Sequence, residues 1–368
     1  MSRSVDPILL LLWLVALATG TIMVASASAP LVGAASSLGP YVVRHAVYLG
    51  GGLVLFGACL VVPLRWWRLA HRPLLLVAMA LALLVLIPGL GLMANGARRW
   101  ISLGPISIQA AEVGKLALVV YLAGYIAGHK EALASKSTAL LPPLAAVGVL
   151  AILYLAEPDF GSVVVLTLLT GAMLFLAGAR LRHFALVATA AAAVLSLLIV
   201  LQPYRMQRLI SFLDPWSVAY GSGYQLTQAL IAFGRGDWFG LGLGEGIQKL
   251  FYLPEAHNDF IFAVIAEELG LFGATAVLVL LLAIAWRIFA IARIAREEER
   301  TFGAFVAYGA GFVIATQTLI SVGVNTGTLP TKGLTLPFIS YGGNSLLMCC
   351  GLLGLSMRVD MERGRRDR

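Results

Sequence analysis

Long apolar stretches, separated by short polar segments, run along almost the whole chain. They begin near Ile8 and recur up to Met357, and no polar segment between them is long enough to fold as a separate domain. A helix needs about 20 apolar residues to cross the ~30 Å hydrocarbon core of a bilayer. The pattern therefore predicts about ten transmembrane helices. Their expected positions are near residues 8–28, 43–63, 74–94, 110–128, 139–156, 159–178, 184–202, 259–287, 303–325 and 338–357.

The predicted fold class is all-α, a polytopic integral membrane protein in which residues 1–368 form a single transmembrane domain. The longest segment between spans, residues 202–258, is rich in glycine and aromatic residues. Side chains such as Trp216 and Trp238 would anchor short amphipathic helices at the membrane interface. We therefore expect one large, ordered extracytoplasmic loop in this segment.

Composition agrees with a membrane protein. Hydrophobic residues make up 60% of the chain and charged residues only 12%, whereas soluble domains are about a quarter charged. The three cysteines lie inside apolar stretches, which favours small hydrophobic residues over a disulfide framework. A net charge of +8 would suggest nucleic-acid binding in a soluble protein, but the basic residues form short clusters between the spans, so no nucleic-acid partner is expected.

The distribution of basic residues predicts the orientation in the membrane. If the N-terminus is cytoplasmic, 17 of the 26 lysines and arginines fall in cytoplasmic segments and the C-terminal tail. Such an excess is the positive-inside pattern. We therefore expect both termini in the cytoplasm and the segment 202–258 on the outer face.

Two carboxylates form the strongest candidate for chemistry. Pro254 suits the first turn of a helix, which would place Glu255 and Asp259 one turn apart on the same face. A partly desolvated carboxylate can have its pKa raised toward the range of a general base. Alternatively, both acids only complement the dipole at the helix N-terminus. The sequence leaves open which of the two would be the base.

Basic and aromatic residues in other outer segments are candidates for substrate binding. Arginine and lysine are suited to hold a pyrophosphate. The alternative for the arginines is snorkelling to the interface, and for the lysine a solvated loop charge. The tryptophan could stack on a sugar or anchor the chain at the headgroup level. These candidates are Arg98, Arg99, Trp100, Arg205, Arg208 and Lys332.

Other acids fall within or beside the predicted spans. Glu112 and Lys115 are three residues apart on one helix and can pair, whereas Glu267 and Glu268 have no obvious local partner. The acids on either side of Pro158 are expected to accept hydrogen bonds from turn amides. No His, Cys or acidic spacing resembles a closed metal site, which leaves open a Mg²⁺ or Mn²⁺ ion held on a diphosphate.

Four motifs resemble those of the SEDS proteins, the family of FtsW, RodA and SpoVE. They are GARRWI at 96–101, EPDFG at 157–161, PEAHNDF at 254–260 and PFISYGG at 337–343. The segment 329–337, LPTKGLTLP, resembles the FtsW branch more than the RodA branch. Asn258 and Asn344 depart from the threonine and serine that are common in the family, and both remain small and polar.

The resemblance implies a peptidoglycan glycosyltransferase that polymerises lipid II on the outer face of a bacterial inner membrane, at the division septum. It implies Asp259 as the essential acid. Trp100, Glu255, Arg205 and Lys332 match other positions of the family motifs. Glu255 is a second catalytic candidate, and His257 is a candidate for substrate binding. The implied partners are lipid II, a class B penicillin-binding protein of the FtsI type and other divisome membrane proteins. The alternatives are a lipid II flippase and a noncatalytic divisome scaffold.

Overall fold

The computed structural model describes residues 5–31, 40–94, 97–104 and 106–362. The basic residues before and after these limits, which contribute to the predicted orientation, lie outside the described residues. Within the described ranges the helices are α1 (Pro7–Ser28), α2 (Pro40–Val61), α3 (Leu64–Leu69), α4 (His71–Leu86), α5 (Ala110–Ser135), α6 (Leu141–Ala156), α7 (Phe160–Leu176), α8 (Leu181–Val200), α9 (Pro203–Leu213), α10 (Tyr224–Gly236), α11 (Ile261–Glu297), α12 (Thr301–Asn325) and α13 (Gly343–Met361).

The long helices correspond one by one to the ten predicted spans, which confirms the predicted membrane architecture. In the described part of the chain, six helical segments are at least 18 residues long and apolar enough to cross a membrane; they contain α1, α2, α5, α6, α11 and α12. Helices α4 and α7 are apolar but shorter. The three cysteines are buried and free, as expected.

Helices α5 and α12 lie at the centre of the bundle. Helix α12 packs against α5, α7, α11 and α13, while α2 lies along α13. Small residues bring the two central helices close together, since a Cβ on Gly309 of α12 would lie 2.8 Å from Val119 of α5. In a bilayer the hydrophobic effect does not drive helices together, so membrane helices commonly associate through close packing at small residues.

A small antiparallel sheet follows α4, and the all-α prediction missed it. Its strands are β1 (Gly91–Ala94), β2 (Ala97–Leu103) and β3 (Ile106–Gln109), in the order β1-β2-β3. The predicted third span, 74–94, is therefore wrong at its end. The helix ends at Leu86 because Pro88 disfavours helical geometry at Ile87, whose backbone is extended.

The predicted loop 202–258 contains two short helices, α9 and α10. Pro203 occupies the first turn of α9, where its missing N–H costs nothing. Helix α10 packs against α11. Short helices in this segment agree with the expectation from its aromatic residues, and turns connect α10 to the start of α11.

The segment before α11 differs from the helical turn expected there. Helix α11 begins at Ile261, and the residues before it form turns. Glu255 has a φ of +56°, which a right-handed helix does not allow. The prediction that Glu255 and Asp259 share one helical face is therefore wrong, although both acids lie in the same turn segment.

Candidate functional site

The backbone of Asp259 is fixed by one side chain of α12. Asn325 Nδ2 donates a hydrogen bond to the carbonyl oxygen of Asp259 (2.9 Å), and Asn325 Oδ1 accepts one from the N–H of Ala263 (3.0 Å). Asn325 is fully buried, where such bonds are electrostatically stronger than in water. The chain after α12 then passes over the carboxylate, since a Cβ on Gly333 would lie 2.7 Å from Asp259 Oδ2.

The surroundings of Asp259 suit a group that gains and loses a proton near neutral pH. Burial, and then the neighbouring carboxylate of Glu255, raise the pKa of Asp259 to about 7, while Arg208 and Arg99 partly oppose the rise. A general base works best when its pKa lies near the working pH. Glu255 is exposed and acts on Asp259 through its charge.

Two of the predicted cationic residues, Arg208 and Lys332, lie on segments that contact each other, and the charge of Arg208 also acts on Asp259. Arg208, on α9, donates from Nη1 to the carbonyl oxygen of Thr331 (3.2 Å). The next residue, Lys332, places Nζ 3.9 Å from the centroid of the Phe160 ring, a cation–π contact. Segments that are distant in sequence thus bring a guanidinium and an ammonium group together.

Arg208 and Lys332 also line a cavity of about 330 Å³ between α7, α9 and α12. Apart from these two residues and Thr331, its lining is mainly apolar. A ligand that fits it has a hydrocarbon part and a negatively charged end. The other lining residues are Phe160, Gly161, Val164, Leu168, Leu209, Ile320, Leu329, Pro330 and Leu334.

The sheet contributes Arg99 to the same region. Arg99 donates from Nη2 to the carbonyl oxygen of Pro158 (2.5 Å) and from Nε to that of Glu157 (3.2 Å). The strand is irregular at this residue, because Leu92 of β1 pairs with Trp100 and Met93 pairs with Arg98, which makes Arg99 the extra residue of a β-bulge. The charge of Arg99 acts on Asp259, and substrate contacts by Arg98 and Trp100 stay predictions.

The two acids between α6 and α7 have different roles. Asp159 caps α7, because its carboxylate accepts hydrogen bonds from Ser162 N (3.2 Å) and Ser162 Oγ (2.7 Å). Glu157 is fully buried, and neither carboxylate oxygen has a hydrogen-bond partner among the described residues. Burial, and then Asp159, raise the pKa of Glu157 to about 8. The expected bonding to turn amides is right for Asp159 and wrong for Glu157.

Aromatic rings surround His257 on the other side of the turn segment. The His257 ring centroid lies 4.9 Å from that of Tyr41 and 5.4 Å from that of Tyr341. The carbonyl oxygen of His257 accepts a hydrogen bond from the N–H of Tyr341 (3.0 Å). Burial lowers the pKa of His257, and the Glu255 carboxylate opposes this. The ring is therefore neutral at pH 7 and can donate or accept a hydrogen bond.

The acids within the helices are paired. Lys115 Nζ lies 2.7 Å from Glu112 Oε1, which confirms the expected pair. Glu267 pairs with Arg235 (3.0 Å) and Glu268 with Lys249 (2.6 Å), two partners supplied from outside α11. The sequence gives no local signal for these two contacts.

The side chain of Arg205 lies outside the part of the molecule that the structure describes, so its substrate contact stays a prediction. Across the described ranges, no three His, Cys, Asp or Glu side chains come together in a way that could hold a metal ion. A divalent ion at this site would therefore take most of its ligands from a bound diphosphate.

Comparison with known proteins gives concordant matches along the chain. Residues 7–365 match the family FtsW/RodA/SpoVE, described as cell cycle proteins. The chain is 49% identical to the probable peptidoglycan glycosyltransferase FtsW of Thioalkalivibrio sulfidiphilus, over 94% of this chain and 87% of that protein. It is 47% identical to the protein of the same name from Coxiella burnetii, over 98% and 97% of the two chains.

Solved structures agree with these sequence matches. A chain from a peptidoglycan synthase complex, studied for its coordination of polymerization and crosslinking, superimposes with a TM-score of 0.80 at 29% identity, over 99% of both chains. The rod shape determining protein RodA of Thermus thermophilus superimposes with a TM-score of 0.73 at 27% identity, also over 99% of both chains.

Proposed function

Since this chain belongs to the FtsW/RodA/SpoVE family of cell cycle proteins, we propose that it is a bacterial membrane enzyme that polymerises lipid II into the glycan strands of peptidoglycan. Its relatives carry the name peptidoglycan glycosyltransferase at nearly full coverage. The observation that carries the proposal is the position of Asp259: its pKa is raised to about 7, the charges of Arg208 and Arg99 act on it, and Arg208 also lines a partly apolar cavity.

The chemistry assigned to Asp259 is a single displacement. Its carboxylate takes the proton from the 4-hydroxyl of the acceptor GlcNAc, and the oxygen attacks the anomeric carbon of the donor. The bond from that carbon to the diphosphate breaks, and undecaprenyl diphosphate leaves with the bonding electrons. The reaction needs a base on the acceptor side and positive charge on the leaving-group side.

Arg208 and Lys332 are the groups that stabilise the leaving diphosphate. A guanidinium can donate two hydrogen bonds to phosphate oxygens, and an ammonium group adds a mobile positive charge. The apolar lining of the adjacent cavity suits the first part of the polyprenyl chain. Arg205, Arg98, Trp100 and His257 remain candidates for contacts with the sugars or the diphosphate.

No resident cofactor is required for this displacement, because the donor already carries a good leaving group. Magnesium or manganese on the diphosphate would add positive charge where Arg208 and Lys332 already supply it. In that arrangement the ion arrives with the substrate, and the side chains of this protein orient the diphosphate.

The proposed surroundings of the enzyme are the inner membrane and the division septum, with both termini in the cytoplasm and the sheet and α9 on the outer face. A crosslinking partner accompanies the polymerase in the similar synthase complex. For this chain we propose a class B penicillin-binding protein of the FtsI type, together with other divisome membrane proteins.

A lipid II flippase would use the same intramembrane charges to pass a polar headgroup, and it is the main alternative. Purified protein in detergent, supplied with fluorescent lipid II, should produce glycan strands that a muramidase digests. A transporter would produce none, because it moves lipid II across a membrane without forming glycosidic bonds. The presence or absence of glycan strands therefore distinguishes a polymerase from a flippase.

The pH dependence of the rate should identify the base. Asp259 accepts a proton only when it is ionised, so kcat/KM should rise with pH through about 7. Glu255→Gln removes the neighbouring negative charge, which lowers the pKa of Asp259. The rising limb of the profile should then move to lower pH while activity remains. Loss of activity in Glu255→Gln, with an active Asp259→Asn, would instead assign the base to Glu255.

A further inference from the structure

Helix α11 is interrupted at Gly270, its tenth residue, and another segment of the chain fills the break. Gly270 has a φ of +69° and a ψ of −171° inside an otherwise helical run. In an uninterrupted helix, the N–H groups of Leu271 and Phe272 would donate to the carbonyl oxygens of Glu267 and Glu268. The break separates these donors from these acceptors, which leaves four backbone groups in need of other partners.

All four groups find partners in the segment 237–242. Leu271 N donates to the carbonyl oxygen of Asp237 (2.9 Å) and Phe272 N to that of Trp238 (3.2 Å). In return, the N–H groups of residues 241 and 242 donate to the carbonyl oxygens of Glu267 and Glu268, each at 3.0 Å. The connection between α10 and α11 is thus hydrogen-bonded into the interior of the helix that follows it.

Glycines make this close approach possible. Gly240 has a φ of +80°, and a Cβ there would clash with the carbonyl oxygen of Glu268. A Cβ on Gly270 would clash with the backbone nitrogen of Gly240. Only residues without a side chain fit at both positions.

The side chain of Glu267 holds the same connection. It is fully buried and accepts hydrogen bonds from Arg235 Nε (3.0 Å) and from the N–H groups of Ile247 (3.1 Å) and Gln248 (3.0 Å). A buried carboxylate is tolerated only when it is paired and its lone pairs are satisfied. These contacts meet both conditions, so the connection and the helix stabilise each other.

The side chain of Glu268 also binds helix α1. It accepts hydrogen bonds from Lys249 Nζ (2.6 Å), from the N–H of Gly244 (3.0 Å) and from Ser26 Oγ on α1 (2.8 Å). We call the two carboxylates and the segment 237–249 that they bind the loop clamp. It joins α1, the connection after α10 and the first part of α11.

We propose that the loop clamp positions the catalytic segment 250–260, with Glu267 and Glu268 as positioning residues for Asp259. The inference rests on the proposed polymerase function. Residues 248 and 249 are fixed to α11 by the clamp, and residue 261 is the first residue of the same helix. The eleven residues between these points form a closed segment, and both of its ends are held by one helix.

A double variant, Glu267→Gln with Glu268→Gln, tests this in the full-length protein in detergent. The amides keep the size of the side chains but lose the charge that binds Arg235 and Lys249. Amide hydrogen exchange in residues 250–260 should become about tenfold faster or more, while α12 stays protected. The control is Glu245→Gln, the same change on an exposed carboxylate of the same segment, which should leave exchange unchanged.

The kinetics of the double variant should separate positioning from folding. With fluorescent lipid II, kcat should fall about tenfold or more, since small misplacements of a reacting group are costly, while KM changes less than about threefold. Water reaching Asp259 should also move the rising limb of the pH profile to lower pH. This limb is otherwise set by burial and by Glu255, Arg208 and Arg99 around that carboxyl. Loss of folded protein would lower the rate by the same factor at every pH and would not shift the rising limb of the pH profile.

Each outcome decides a separate point. Unchanged exchange in residues 250–260 would overturn the clamp, whatever the activity. Faster exchange with kcat and the pH profile unchanged would overturn the positioning role and leave the polymerase function intact. If the unaltered protein produced no glycan, the proposed function would fail, and the exchange rates would still decide whether the clamp holds the segment.

Discussion

Replacing Asp259 with asparagine should reduce lipid II polymerisation by about 10² to 10⁴-fold, the usual contribution of a positioned general base. The amide has nearly the same size and shape as the carboxylate, but it cannot accept the proton from the acceptor hydroxyl. The backbone bond from Asn325 to the carbonyl oxygen of residue 259 does not depend on the side chain. Initial rates of glycan formation by the purified variant, with saturating lipid II, measure the effect.

The matched control for Asp259→Asn is Asp214→Asn, the same change at an exposed aspartate directly after α9, which should leave the rate unaltered. Folding is monitored by thermal unfolding in detergent and by recovery of the purified transpeptidase partner, and both should match the unaltered protein. A variant that folds, binds its partner and still polymerises at near-normal rate would remove Asp259 from the role of base.

The second large effect is expected on the leaving-group side. Lys332→Met should lower kcat/KM for lipid II by about 10² to 10³-fold, the range found when one donor that stabilises developing charge is removed. Methionine keeps most of the length of lysine and its packing on the Phe160 ring, but it carries no charge. Arg208→Met should have an effect of the same order, because both cations line the same cavity.

Steady-state kinetics with a matched control test this role. Lys136→Met makes the same change at an exposed lysine next to the end of α5, and it should leave kcat/KM unaltered. The double variant of Arg208 and Lys332 should lose less than the product of the two single losses, because the residues act on one diphosphate. Wild-type kcat/KM in both single variants would rule out diphosphate binding by this pair.

The spans were predictable because lipid imposes one requirement on every crossing segment. Each must be apolar and long enough to satisfy its own backbone, and that pattern is local in sequence. Helices α5, α6 and α12 therefore appear close to their expected positions. The ends of two spans were predicted less well: α11 continues to Glu297, and α4 ends before Pro88, where three short strands follow instead.

The candidate site was predictable in its residue types and less so in its contacts. The carboxylates of Glu255 and Asp259 do influence each other, but through a turn and not along a helix. Choosing between Arg98 and Arg99 requires knowing that the segment is a strand with a β-bulge at Arg99, and no local pattern in the sequence indicates that bulge. The partners of Glu267 and Glu268 lie at least 19 residues away in sequence, beyond any local pattern.

Asn325 couples the position of α12 to that of the turn before α11. Its amide holds both the carbonyl oxygen of Asp259 and the N–H of Ala263, at 2.9 and 3.0 Å. Hydrogen bonds weaken steeply once they lengthen by more than a few tenths of an ångström. A shift of α12 along its axis must therefore either carry the turn before α11 with it or break both bonds. The depth of the base relative to the bilayer is thus coupled to a neighbouring span, although that span itself contains none of the proposed catalytic groups.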